Sequence, residues 1–153
     1  MEKAELKIDY RVYDESCPEE YKELCQAAWL VTKNAYCVYS GFAVGAAVLL
    51  NNGEVVCGSN QENVAYPSGL CAERTALFAA CSTYPEAGIK AIAVAACQQG
   101  VDVDEFVTPC GSCRQVMLEI VRRYHADFDV IMLGRKRSVV IKASQLLPLA
   151  FSM

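Results

Sequence analysis

Three cysteines and one glutamate have the types and spacing needed for metal chemistry. Cys110 and Cys113 are separated by two residues in the segment PCGSC, and Cys71 begins the segment CAER, in which Glu73 follows two positions later. If each segment begins a helix, positions three apart lie on one face. Helix N-termini also stabilise the thiolates that bind metals. Two such helix ends facing each other would form a three-sulfur site, and three protein ligands with an open fourth position are typical of catalytic zinc.

Glu73 is the candidate proton carrier beside such a metal. A carboxylate next to an activated water can accept its proton and pass it to a substrate. Two residues on a regular helix point about 200° apart, so Glu73 shares a centre with Cys71 only if Cys71 lies at the helix cap. Three thiolates leave a zinc cluster negatively charged, and Arg74 is placed to offset that charge from the second coordination sphere.

Spacing alone leaves other interpretations of these cysteines open. A C-x-x-C pair also occurs in thioredoxin-like redox motifs, although that function leaves Cys71 and Glu73 unused. A structural zinc would need a fourth protein ligand, for which Cys57, Cys97 and His125 are the candidates. The cysteines outside the two segments are otherwise predicted to be packing residues.

Composition narrows the class of protein. The chain has 153 residues, a net charge of −4 and a pI near 5.0, which suits one domain with a real core and disfavours binding to nucleic acid or an anionic membrane. The N-terminal segment MEKAELKIDY lacks the apolar core of a signal peptide, and the longest apolar run, AVGAAVLL, is too short to span a bilayer. We therefore expect a soluble, cytoplasmic protein in which the nine cysteines are not disulfides.

Periodicity predicts the elements that must position these residues. Alternation near the N-terminus indicates a short strand over 6–12, and Pro18 indicates the start of a helix that runs to about Tyr36. An Asn-Gly turn predicts a β-hairpin. The predicted hairpin strands are 43–50 and 54–59, the later helices are 71–82 and 110–125, and the later strands are 89–97, 127–133 and 138–143. An acidic loop over 98–109 is predicted to be irregular. This order implies a mixed sheet with helices on both faces.

The two segments together resemble the zinc signatures of the cytidine deaminase family. The resemblance rests on CAERTA at 71–76 and PCGSCRQV at 109–116, and it extends from about Tyr21 to Phe151. It is greatest to the small homotetrameric type, whose Zn²⁺ is held by three cysteines, here Cys71, Cys110 and Cys113. It implies a single α/β domain over residues 1–153, in three layers (α/β/α) with a mixed, roughly five-stranded sheet. Residues 1–17 would be a short N-terminal extension.

The resemblance also implies the residues that act on a substrate. It assigns catalysis to Glu73 and substrate binding to Phe42, Asn60, Glu62, Ala72 and Phe151. Asn60 and Glu62 lie two apart in the extended segment NQEN, so both side chains face one side and suit a sugar hydroxyl. Phe151, in LLPLAF, would stack on the base in a neighbouring subunit's site, which makes a homotetramer part of the active site.

The implied activity is hydrolytic deamination of cytidine and 2′-deoxycytidine, as in pyrimidine salvage. The alternative substrate is a modified cytosine nucleoside such as blasticidin S, but NQEN together with Phe42 favours the ordinary nucleoside. Editing of polynucleotides is disfavoured by the acidic charge. A zinc-stabilised binding module without turnover is the alternative from another class. The chain departs from the common family pattern at Cys37, Val38 and Gly41, and at Leu149, where a Gly is frequent.

Overall fold

The computed structural model describes residues 1–15 and 17–151, which form a seven-stranded mixed sheet with helices. The strands are β1 (Tyr10–Asp14), β2 (Phe42–Leu50), β3 (Val55–Ser59), β4 (Ile89–Gln98), β5 (Val101–Asp102), β6 (Asp129–Met132) and β7 (Arg137–Lys142). The α-helices are α1 (Lys22–Val31), α2 (Ala72–Thr83) and α3 (Gly111–Tyr124). Short 3₁₀ turns lie at Glu19–Tyr21, Thr32–Asn34, Tyr66–Ser68 and Ala143–Leu146. Within the described residues, no helix has the length and apolar character needed to cross a membrane.

The strands follow the order β1-β7-β6-β4-β2-β3, and β5 pairs with β4 outside this path. Strands β4 and β6 are parallel, whereas the other neighbouring strands are antiparallel. The predicted α/β/α class with a mixed sheet is confirmed, but the sheet has seven strands rather than about five. The difference comes from β1 and β5. β1 lies within the predicted extension and pairs with β7, and β5 has two residues, too few to show a period of two.

Two predicted elements differ most from the structure, whereas the bounds of the others agree to within two residues at each end. The N-terminal strand begins at Tyr10, and Leu6 and Ile8 are exposed and precede it. The first predicted helix is divided into a 3₁₀ turn, α1 and a second 3₁₀ turn that ends at Asn34. The Asn-Gly hairpin between β2 and β3 is present as predicted.

The sheet is covered by α1 on one face and by α2 and α3 on the other. Strand β4 shows how the residues divide, because its side chains alternate between two core clusters. Ala91, Ala93 and Ala95 pack with α1, whereas Ile92 and Val94 pack with α2 and α3. Burial on both faces is expected of a central strand, and the small alanine side chains let α1 lie close to the sheet.

Two glycines mark the closest approaches of helix to sheet. A Cβ at Gly45 would lie 2.3 Å from the carbonyl oxygen of Ala28 in α1. A Cβ at Gly58 would lie 2.5 Å from the backbone nitrogen of Ala76 in α2. Real Cβ atoms do not tolerate such distances, so a side chain at Gly58 would push α2 away from β3. The packing of α2 against β3 therefore requires a residue without a side chain at position 58.

A buried hydrogen bond ties the start of α1 to the sheet. The Tyr21 hydroxyl donates to Asp129 Oδ2 over 2.9 Å, and Asp129 also pairs with Lys142 Nζ at 2.8 Å. Burial raises the pKa of Tyr21 to about 12, and the bond to Asp129 contributes to the rise. The neutral phenol is therefore the form that the fold favours.

Candidate active site

The three cysteines predicted as metal ligands converge at the facing ends of two helices. The Cys71 and Cys110 sulfurs are 3.7 Å apart, and the Cys110 and Cys113 sulfurs are 3.5 Å apart. All three sulfurs lie within 4.8 Å of one another. Thiolates bound to one tetrahedral Zn²⁺ at about 2.3 Å are separated by about 3.8 Å. The spacing of the sulfurs therefore fits a zinc ion with three cysteine ligands.

The positions of Cys71 and Cys110 at helix N-caps help to direct the sulfurs toward one centre. Cys71 is the N-cap of α2 and Cys110 is the N-cap of α3, each with an extended backbone at ψ 153° and 165° respectively. Cys113 follows in the first turn of α3 and is fully buried. The sequence-based helix included Cys71 and Cys110, but the structure places both just before their helices. Neither cysteine makes a side-chain capping hydrogen bond, so both sulfurs remain directed at the centre.

The candidates for a fourth protein ligand lie elsewhere. Among the residues that the structure describes, the cysteine cluster contains Cys71, Cys110 and Cys113 without Cys57, Cys97 or His125. His125 is the C-cap of α3, and the 14 residues of that helix separate it from the cluster by about 20 Å. Three ligands from the chain leave one tetrahedral position open, which is the arrangement of a catalytic zinc.

Glu73 opens onto the same centre. It is the second residue of α2, its side chain is 5% exposed, and it lines a cavity of about 280 Å³ together with Cys71 and Cys110. Because Cys71 precedes the helix, the 200° rotation between helical positions two apart does not separate the two side chains. Burial raises the pKa of Glu73 above its ordinary value. A carboxyl group with a raised pKa is suited to take up and return protons.

Arg74 contacts the metal-ligating group directly. Its Nη2 donates to the Cys71 sulfur over 3.6 Å. The hydrogen bond from the Cys113 thiol, followed by those from Arg74 and Cys110, lowers the pKa of Cys71 to about 5. The same contact with Cys71, together with burial, raises the pKa of Cys113. The cluster thus favours a thiolate at Cys71, which is the ionisation state that metal binding requires.

The cavity beside Glu73 contains four of the five predicted substrate-binding residues, namely Phe42, Asn60, Glu62 and Ala72. Its volume of about 280 Å³ is close to the lower end of the range for small-ligand pockets, which is about 300–1,000 Å³. A wider recess of about 570 Å³ adjoins it and shares Ser40, Asn60, Glu62 and Cys71.

Asn60 and Glu62 also form hydrogen bonds with the backbone around the cavity. Asn60 Oδ1 accepts from the Val44 amide over 2.7 Å, and Asn60 Nδ2 donates to the Phe42 carbonyl over 2.9 Å. Glu62 accepts from the Tyr39 amide over 2.8 Å. Hydrogen bonds, first that from the Ser40 hydroxyl, lower the pKa of Glu62. An asparagine amide has two donors and two lone pairs, so Asn60 retains one of each for a ligand.

Ser40 is a cavity residue that the sequence analysis missed. Its hydroxyl donates to Glu62 Oε1 and accepts from the Phe42 amide over 3.0 Å, so it links the carboxylate to the start of β2. Val107 and Thr108, which precede the Pro109-Cys110 segment, also line the cavity and were not predicted. The position of Ser40 in YSGF, two residues before Phe42, was the available signal.

Phe151 lies apart from the cavity of its own chain. Its side chain is 73% exposed, and its carbonyl accepts hydrogen bonds from two side chains of α3. The lining of the cavity does not include it. Any contact of the Phe151 ring with a substrate would therefore require the cavity of another copy of the chain.

The three cysteine sulfurs beside a buried carboxyl group set the class of protein, which is that of a zinc enzyme with an open coordination position. Comparison with known proteins identifies the family. The sequence model described as the cytidine and deoxycytidylate deaminase zinc-binding region matches residues 18–125. A cytidine deaminase of Halalkalibacterium halodurans is 43% identical over 86% of this chain and 90% of its own length. A probable cytidine deaminase of Dictyostelium discoideum is 38% identical over 88% of this chain and 85% of its own.

Solved structures agree with the sequence comparisons. A crystal structure of cytidine deaminase from Burkholderia pseudomallei superposes with a TM-score of 0.72 at 39% identity, covering 84% of this chain and 97% of that one. The chain belongs to the cytidine and deoxycytidylate deaminase family. The zinc-binding description of the matched region and the three-cysteine donor set together identify Zn²⁺ as the cofactor.

Proposed function

We propose that this enzyme converts cytidine and 2′-deoxycytidine, with one water, into uridine or 2′-deoxyuridine and ammonia. The observation that carries the proposal is the position of Glu73, which is buried and opens onto the same cavity as the cysteine cluster. The names of relatives such as the H. halodurans cytidine deaminase support this substrate class.

Three cysteines would hold the metal ion in this proposal. Zn²⁺ held by Cys71, Cys110 and Cys113 would lower the pKa of a water molecule at its open position. Arg74, through its contact with Cys71, offsets the negative charge of three thiolates and so preserves the acidity of that water.

Glu73 carries the protons of the reaction. It accepts one proton from water and delivers it to N3 of the cytosine ring, while the water oxygen bonds to C4. It then moves the second proton to the amino nitrogen, so that the C4–N bond breaks, ammonia leaves and a carbonyl remains. Burial supports both transfers, because it raises the pKa of Glu73 and so makes the carboxyl group a better proton acceptor than an exposed glutamate.

The remaining cavity residues bind and orient the nucleoside. Phe42 offers a ring face to the base, and Ala72, at the N-terminus of α2, offers the backbone. Asn60 and Glu62 bind the sugar with the hydrogen-bonding capacity that their contacts to β2 and the 39–40 backbone leave free.

A homotetramer in the cytoplasm completes the proposal. Phe151 of one subunit would cover the base in a neighbouring subunit's cavity, which is supported by its exposed ring and its separation from its own cavity. The nine free cysteines are consistent with a reducing compartment.

The test is the ultraviolet absorbance change when the zinc-loaded protein meets cytidine or 2′-deoxycytidine, compared with Glu73→Gln. We expect conversion by the wild type and a loss of about 10²–10⁴-fold in the variant with zinc retained. Near-normal turnover by Glu73→Gln would remove the proposed role of that residue. Turnover of blasticidin S without turnover of cytidine would instead assign the enzyme to a modified nucleoside.

A further inference from the structure

The C-terminal segment 147–151 is held to α3 at its far end by a pair of side chains. Gln115 Nε2 and Arg122 Nη1 each donate to the carbonyl oxygen of Phe151, and each distance is 3.4 Å. The two donors are seven positions apart on α3, which is two turns, so they share one face of the helix. A carbonyl oxygen has two lone pairs, and this pair of donors can occupy both of them.

Arg114 fixes Leu146, the residue directly before the same segment. Its Nη1 donates to the Leu146 carbonyl over 3.1 Å, and its Nε donates to the Pro109 carbonyl over 2.8 Å. Pro109 directly precedes the metal-ligating Cys110. One arginine therefore joins the metal-binding loop to the start of the C-terminal segment.

These contacts hold the backbone of Phe151 and leave its ring free. The side chain is 73% exposed although its carbonyl is bound twice. Leu149, two residues earlier, has φ 54° and is fully exposed. A branched side chain at positive φ is strained, and such a conformation persists only when its surroundings fix it. The hydrogen bonds to Phe151 provide that restraint two residues after the strained position.

We infer that Gln115 and Arg122 are positioning residues that fix the Phe151 backbone and so present its ring to the cavity of a second copy. The inference rests on the proposed function, since it assumes that the presented ring meets a nucleoside. It assigns to the outer face of α3 a part in substrate affinity. The inner side of the same helix contributes Cys113 to the metal site.

If the hydrogen bonds to Phe151 only stabilised the fold, removing them would lower the free energy of unfolding by the same amount with and without substrate. A positioning role affects affinity through the Phe151 ring alone, because neither Gln115 nor Arg122 lines the substrate cavity. The two roles therefore differ in how KM and kcat respond. They also differ in whether the effect depends on the presence of the ring.

The first experiment compares Arg122→Met and Gln115→Ala with the matched control Arg123→Met. Arg123 has the same charge and the same helical turn, but its guanidinium lies over the Tyr124 ring at 5.1 Å rather than against Phe151. We expect KM for cytidine to rise about tenfold when both donors are replaced, because base stacking on an aromatic ring is lost in part. We expect kcat and zinc content to stay within about twofold, and the control to match the wild type. Arg122→Lys, which keeps a donor, should recover part of the affinity.

The second experiment repeats Arg122→Met in a Phe151→Leu background. If Arg122 acts through the ring, its replacement adds no further rise in KM once the ring is absent. An equal further rise in that background would overturn the inference while leaving the deaminase function intact. A Phe151→Leu variant with wild-type KM would overturn both the presentation of the ring and its proposed contact with the base.

Hydrogen exchange provides a readout that does not need turnover. Arg122→Met combined with Gln115→Ala should speed exchange in the peptide that contains residues 147–151, with the peptide at the start of α2 unchanged. Unchanged exchange at the C-terminal peptide would show that these side chains do not hold the segment, which overturns the inference. Faster exchange in a protein that fails to deaminate cytidine would instead count against the proposed function.

Discussion

The sulfurs of Cys71 and Cys110 lie 3.7 Å apart although 39 positions separate them in the sequence. Each cysteine is the N-cap of a different helix, and the two helices pack on the same face of the sheet. The contact therefore depends on where α2 and α3 begin. The cysteine cluster and Glu73 are therefore positioned by these two helix ends.

Replacing Cys113 by alanine should remove the metal. The two remaining sulfurs offer too few ligands for tight zinc binding, so the purified variant should contain much less than one zinc per chain, measured by metal analysis. Cys97→Ala is the matched control, because that thiol lies outside the cluster and should leave zinc content unchanged. Full zinc occupancy in Cys113→Ala would contradict the assigned ligand set.

Replacing Asn60 by alanine should weaken both substrate affinity and the start of β2. The change leaves the Val44 amide and the Phe42 carbonyl without their partner, at a cost of about 1–3 kcal/mol in the free energy of unfolding. KM should rise as well. Chemical denaturation measures the loss of stability, and steady-state kinetics measures the change in KM. Asn52→Ala, which removes only a local bond to the Glu54 amide in the hairpin turn, should change neither by much. Equal effects of the two substitutions would contradict the assignment of Asn60.

Replacing Gly58 by alanine should displace α2. The new Cβ would meet the Ala76 backbone nitrogen at 2.5 Å, and overpacking of this kind costs about 1–3 kcal/mol. Because Glu73 lies on the displaced helix, kcat should fall as well as the melting temperature. Gly111→Ala is the contrasting variant, since no atom lies within 4 Å of its added Cβ. It should keep or slightly raise stability; a Gly58→Ala enzyme as stable and active as the wild type would be inconsistent with this packing.

Replacing Tyr21 by phenylalanine should destabilise the fold without changing turnover. The variant loses the bond to Asp129, and a hydrogen bond to a charged group contributes about 1.5–3 kcal/mol. The pKa of Tyr21 is raised in the folded state, so its contribution is fully present below pH 10 and is lost as the pH rises from 10 through about 12. Denaturation at pH 8 and pH 11.5 should therefore show a smaller difference between wild type and Tyr21→Phe at the higher pH. A difference that stays constant would contradict the linkage.

The metal cluster could be predicted from the sequence because the types and spacing of its ligands are distinctive. Three cysteines beside two predicted helix starts, with Glu73 close behind, indicate a catalytic metal site far more specifically than either segment does alone. The helix ends themselves were placed too early, because a cysteine at an N-cap has the same sequence pattern as one in the first turn. Dihedral angles at Cys71 and Cys110 distinguish the two cases.

Contacts between distant segments could not be predicted from local patterns. The bond between Ser40 and Glu62 depends on the pairing of the chain near Tyr36 with Gln61, and no periodicity reveals it. Strand β1 joins the sheet through β7, more than 120 positions away. The hydrogen bonds from α3 to Phe151 also require knowledge of how the C-terminal segment folds back.

The extended N-caps at Cys71 and Cys110 create a conflict between stability and catalysis. Serine or aspartate at an N-cap stabilises a helix by about 1 kcal/mol relative to a residue that does not bond the first turn. Cysteines here leave those backbone amides without a side-chain partner, and a selection for metal-free stability would replace them. Consensus or screening methods that reward only a high melting temperature would therefore favour chains that fold well and hold no metal.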